Sequence, residues 1–264
     1  MMLPKEHGAY GQLGFPLATA LAAAEFTAAS LLFAVAAIAL FVAHEPLLVL
    51  LNQRGARALR EEGGRARFWL TGALIIAGVA GVMAIALTNP STLWTLLLPI
   101  IPGACLVLLT LRGHEKTSLG ETLAAVTFAL IAVPVSAAGG LHPAIGIAIA
   151  VAFAFLFVAS TLAVRVVILR TRGGGQPQAA RHTRNLALTV AAAGFVVAIG
   201  TSTAGVLPGA AAFAITPGLL FAIVVATFPP RAVHLRRVGW TLVAVSALTS
   251  ILLIAIAATA TASR

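Results

Sequence analysis

The chain has 264 residues, 60% hydrophobic and only 9% charged, with 17 Lys+Arg against 7 Asp+Glu and a formal net charge of +10. A soluble domain of this size needs far more polar surface, so the composition excludes a water-soluble enzyme. It also turns the positive charge from a sign of nucleic-acid binding into a sign of membrane topology. A single cysteine, Cys105, excludes an intrachain disulfide, and every acid is a glutamate, with no aspartate anywhere.

In chain order, the opening MMLPKEHGAYGQ lacks the charged, apolar and small-residue regions of a signal peptide, so the first helix is expected to stay in the mature protein. Apolar runs of about 20 residues, enough to cross roughly 30 Å of hydrocarbon, then repeat to the C-terminus. Nine are read, at 11–24 (the weakest), 29–51, 68–87, 93–111, 119–138, 144–169, 186–200, 209–228 and 238–258. Connections are short and no internal repeat is apparent. The expectation is one all-α, polytopic membrane bundle over residues 1–264, about nine transmembrane helices and no soluble domain. Charged connections (52–67 with five arginines, 112–116, 170–184, 229–237) alternate with neutral ones. The positive-inside rule puts the N-terminus and the charged loops in the cytoplasm of a bacterium, and the chain in its inner membrane.

The unusual polar residues fall near the expected cytoplasmic ends. His44 and Glu45 interrupt an apolar run, where a carboxylate costs several kcal/mol unless it is paired or faces a polar cavity. Asn52, Arg54 and Arg57 follow at the membrane edge; Glu45 and Asn52, seven apart, share one helix face. Lys5 and His7 precede the first helix. Arg112, His114, Glu115, Lys116 and Glu121 bridge the fourth and fifth, and Arg165, Arg170 and Arg172 end the sixth. Plain structural readings stand beside functional ones. Glu45 pairs with an arginine or serves a ligand; Arg165 snorkels to the interface or lines a cavity. Glu121 supports a ligand or completes a capping box with Ser118 as N-cap. No His/Glu spacing fits a metal site, so no metal and no cofactor are expected. Without aspartate there is no Ser/His/Asp triad.

LPKEHGAYGQL, HEPLLVLLNQRGARA and HEKTSLGETLAA together resemble the YwiC-like family of bacterial membrane proteins. More distantly, nine helices with a cytoplasmic N-terminus resemble the intramembrane prenyltransferases of UbiA type. That resemblance implies Asp-rich motifs after helices two and six, holding magnesium and an isoprenoid diphosphate. Here those places carry His44, Glu45, Asn52 and Arg54, and Arg165, Arg170 and Arg172. Magnesium wants carboxylate oxygens, whereas arginine grips phosphate oxygens without a metal.

The reading is therefore a UbiA-like bundle with a cytoplasm-facing cationic cavity for an anionic lipid or isoprenoid-type ligand. Lys5, Asn52, Arg54, Arg57, Arg112, His114, Lys116, Glu121, Arg165 and Arg172 would bind it. Glu45, His44 and His7 would carry any proton chemistry, as in an altered transferase without magnesium motifs. The alternatives are a lipid or small-anion transporter and a structural subunit of a membrane complex. The partners expected are membrane lipid and that ligand, and no nucleic acid. Glu45 and Arg165, at similar depth, are expected to face one cavity.

Overall fold

The computed structural model describes Met2 and residues 7–171, 177–205 and 211–262. Over these the chain is helical throughout: α1 (His7–Ala23), α2 (Ala28–Leu50), α3 (Ala56–Leu87), a 3₁₀ segment (Pro90–Leu96) leading into α4 (Leu97–Leu111), α5 (Ser118–Leu130), α6 (Ala132–Ala138), α7 (Pro143–Thr171), α8 (Pro177–Thr203), α9 (Ala211–Thr227), a 3₁₀ turn (Ala232–His234) and α10 (Leu235–Ala262). Seven segments are long and apolar enough to cross a membrane, with α5 and α6 counted as one. α1 and α9, at 17 residues each, complete the bundle. The α5/α6 break has a local cause. Pro134 has no N–H to offer the Leu130 carbonyl four residues back, so the α-helical ladder stops there.

Two connections are shorter than the sequence suggests. Residues 56–67, expected as part of a charged loop, form the first three turns of α3, and α8 likewise starts at Pro177. Ala, Leu, Arg and Glu are strong helix formers, so the helix simply continues past the apolar run. What remains between α2 and α3 is a tight turn. Asn52 takes a left-handed conformation (φ 59), with Gln53 N–H bonding Leu48 O and Asn52 N–H bonding Val49 O. Gly113 (φ 72) closes α4 in the same way, with His114 N–H on Leu109 O and Gly113 N–H on Thr110 O. Both are Schellman turns, which favour Gly or Asn at the left-handed position.

α7 is the hub. It packs against α5, α6, α8 and α9, and Phe153, Leu156, Leu162, Val166 and Val167 on it are almost wholly buried. α9 approaches it so closely that a Cβ on Gly218 would overlap the Leu156 side chain. α3 packs along α2 and turns its Leu, Ile, Val and Met side chains outward. α1 and α10 are tied inside the bundle by Thr19 Oγ1 donating to Ser250 Oγ at 2.8 Å.

The two hairpins α2–α3 and α7–α8 use one packing device. The buried stripe of α3 is Gly63, Ala66, Ala73, Ala77, Ala80 and Ala84; that of α8 includes Ala180, Ala187, Ala191, Gly194 and Ala198. From Ala66 and Ala180 to Ala84 and Ala198, these five positions recur 114 residues apart with identical spacing. Small residues let helix backbones approach in a membrane, where packing rather than water exclusion drives association. The repeat escapes the eye because it is carried by alanine, the commonest kind of residue in such a chain.

Candidate functional site

Three ion pairs gather at the end of the bundle that carries the charged loops. The α2–α3 turn brings Arg54 back over the last turns of α2. There its Nε and Nη2 donate to Glu45 Oε1 and Oε2 at 2.9 and 2.5 Å, a two-pronged fork around a carboxylate only 4% exposed. Glu45 is thus neutralised inside its own helix hairpin. His44 Nε2 lies 3.0 Å from Glu115 Oε2 in the α4–α5 link, and Gln53 donates to the Thr110 carbonyl at the end of α4. The hydrogen bond to His44 holds the Glu115 carboxyl below its ordinary range against the opposing effect of burial, helped by the charges of His44, Arg54 and Lys116.

Across the link, Arg165 on α7 donates from Nη1 to Glu121 Oε2 at 2.8 Å and to the Lys116 carbonyl at 3.3 Å. Gly120 lets the link lie flat on α5, since a Cβ there would overlap the Glu115 backbone. The N-cap of α5 is Thr117, whose Oγ1 accepts from Gly120 N–H, one residue before the expected Ser118. The Glu121 side chain, for which the sequence leaves ligand support and a capping box both open, pairs with Arg165.

Arg165 and Glu121 also line a cavity of about 350 Å³ between α1, α5, α7 and α10. Along α7 it runs from Ile168 to Phe157, about 16 Å at 1.5 Å per residue, or roughly one leaflet of the hydrocarbon. Gln12 on α1 and Thr161 on α7 meet in its wall, Nε2 donating to Oγ1 at 3.0 Å, and Ser160 lies beside them. Gly8, Gly239 and Val243 line it and are exposed, so it opens on its α1/α10 flank.

Glu45 and Arg165, expected to share a cavity, are paired apart: Glu45 with Arg54, Arg165 with Glu121. Glu45 and His44 are not among the cavity's described lining residues. Arg57 pairs with Glu61 on the exposed side of α3 at 2.8 Å. Asn52, Arg112, His114 and Lys116 are exposed. Lys5, Arg172 and the His7 side chain lie outside the described residues. Among the lining residues described, Arg165 and Glu121 are the charged ones and cancel formally. Among the described residues no cluster of three or more His, Cys, Asp or Glu is placed to hold a metal.

Gln12, Gln53, Ser160 and Thr161, with Ser246 on the facing wall of the cavity, are polar residues that sequence reasoning passed over. Hydroxyls and lone amides are routine in membrane helices, and only the facing of α1 on α7 sets Gln12, Ser160 and Thr161 apart.

No curated protein and no solved structure matches the chain. A family model described as YwiC-like protein matches residues 3–137, which run from before α1 into α6 and include Glu45, Arg54, Glu115 and Glu121. With a little over half of its length matched, the chain belongs to the YwiC-like family.

Proposed function

We propose that this membrane protein binds an anionic, lipid-like ligand in the cavity between α1, α5, α7 and α10, with Arg165 as the anchor for the head group. The observation that carries the reading is an arginine within an apolar helix, at the mouth of a leaflet-long cavity, held by the partly exposed Glu121 carboxylate in that same mouth and by the Lys116 carbonyl. A phosphate-type anion competes with Glu121 for the guanidinium, whose planar fork suits phosphate oxygens. The apolar length of the cavity below, lined by Phe15, Phe157, Val164 and Leu242, takes a hydrocarbon tail. By the positive-inside rule, this end of the bundle faces the cytoplasm of a bacterial inner membrane.

Binding fits the site better than catalysis. His44 and Glu45, the residues suited to proton chemistry, are engaged with Glu115 and Arg54 and stand away from the cavity lining. The UbiA-like architecture belongs to the same reading, with a metal-bridged diphosphate site replaced by an arginine.

The test is thermal melting of the purified protein in detergent with monododecyl phosphate, against dodecanol as a tail of equal length. The phosphate should raise the melting temperature and the alcohol should not. Arg165→Gln should abolish the shift. Gly239→Leu should too, by filling the cavity; no atom lies within 4 Å of where a Cβ at Gly239 would sit, so the fold tolerates it. A phosphate shift that survives both substitutions rules this cavity out.

A further inference from the structure

The polarity of the cavity is not confined to its Arg165 end. Five residues deeper along α7, about 7.5 Å at 1.5 Å per residue, Ser160 lines it. Ser160 is 3% exposed, and its Oγ has no hydrogen-bond partner. Buried hydroxyls are nearly always satisfied by protein, water or ligand, because leaving one unpaired forfeits its hydration for nothing. Next to it, Thr161 Oγ1 accepts from Gln12 Nε2. That bond uses one Gln12 proton and leaves the Thr161 hydroxyl proton and the Gln12 carbonyl oxygen to serve something else. Gln12, Ser160 and Thr161 form a polar ledge at one depth, set among the apolar lining residues Phe15, Phe157, Val164 and Leu242, and Ser246 on α10 adds a further hydroxyl to the same cavity.

We infer that the ligand carries a hydrogen-bonding group about one glycerol unit beneath its anionic head, which makes it an acylglycerol phosphate rather than an isoprenoid phosphate. This rests on the anionic-ligand reading above and narrows it. An isoprenoid phosphate is hydrocarbon from its first carbon, so it leaves Ser160 as it is, buried and unpaired, and sets bare methylene groups against Gln12. An acylglycerol phosphate presents an ester carbonyl at that depth to accept from the Ser160 hydroxyl. Its free glycerol hydroxyl reaches the Gln12 carbonyl oxygen. A volume of about 350 Å³ lies at the small end of the range for ligand sites, roughly 300–1,000 Å³, which suits one chain. The opening past Gly8, Gly239 and Val243 lets that chain enter sideways from the bilayer.

The experiment titrates the full-length protein in detergent with 1-oleoyl lysophosphatidic acid, its 1-O-alkyl ether analogue and farnesyl phosphate, reading affinity from thermal shift. The acyl compound should bind about three- to tenfold more tightly than the ether, the worth of one neutral hydrogen bond, and farnesyl phosphate should bind most weakly. Ser160→Ala removes an unpaired group and strands no partner, so the unliganded melting temperature should hold while the preference for acyl over ether disappears. Equal binding of all three compounds, or a preference that outlives Ser160→Ala, overturns the acylglycerol assignment and leaves the anion site at Arg165 standing. Binding of none of them, with Arg165→Gln indistinguishable from the wild type, removes the head-group site itself and the assignment with it.

Discussion

Glu45 is a carboxylate buried near the end of an apolar helix, and Arg54 meets it with both prongs of its guanidinium. The pair is formed within one helix hairpin, nine residues apart, because Asn52 turns the chain back at once. Pairing by a neighbour was one of two readings open from sequence. The neighbour could not be named, because Arg54 reaches Glu45 only after a left-handed residue reverses the chain. An acid buried to 4% exposure and then left unpaired costs about 3–5 kcal/mol. Arg54→Gln should therefore lower the melting temperature sharply, Glu45→Gln should lower it as well, and the double variant should recover much of the loss. Additive losses in the double variant would mean that the two side chains stabilise the fold independently, against the fork geometry.

The α4–α5 link is the element that holds the charged end together. From one side His44 grips Glu115 and Gln53 grips the Thr110 carbonyl; from the other Arg165 grips Glu121 and the Lys116 carbonyl. Six residues between α4 and α5 thereby join α2 to α7, which share no comparable direct packing. The sequence displays the link as HEKTSLGET, an obvious polar island, but not which partner each residue finds. Glu115 pairs with a histidine 71 residues away, and nothing in the spacing of either announces the other. Because the His44 hydrogen bond lowers the Glu115 carboxyl in the folded chain, its contribution to stability is full above the ordinary value of 4.5 and is lost as the pH falls through the lowered folded value. Melting temperatures of the wild type and Glu115→Gln should thus differ by a few degrees near neutrality and converge as the pH falls below the ordinary value of 4.5. A gap that stays constant over that range would show that Glu115 acts through packing and not through its charge.

At the scale of the whole molecule, hydropathy and charge alternation made the all-α membrane bundle legible, since crossing length and loop charge are written directly in composition. The weak first run, 11–24, is a helix from His7 to Ala23, and every later run has its helix. What composition could not carry is which helix touches which. α7 reads as one more apolar run yet is the hub, while α3 and α4, also long and apolar, lie at the periphery. The matched alanine seams of α3 and α8 add a constraint on orientation. Each seam belongs to a helix that starts in an arginine-bearing segment, Arg57 to Arg67 in one and Arg181 to Arg184 in the other. The ion pairs that join the end of α2 to the end of α7 through the α4–α5 link put both starts at one end of the bundle, so the two hairpins run in the same sense. That requires an even number of crossings from α3 to the start of α8, which the count of nine satisfies and a count that drops one crossing among α4 to α7 does not. By the positive-inside rule we propose that both arginine-bearing starts face the cytoplasm. Reporter fusions after Arg60, Lys116, Gly174 and Arg231 should all report the cytoplasm, and a fusion after Arg264 the opposite side. A fusion after Gly174 that reports the far side would separate the two hairpins in sense and break the nine-crossing order, even if every other fusion agreed.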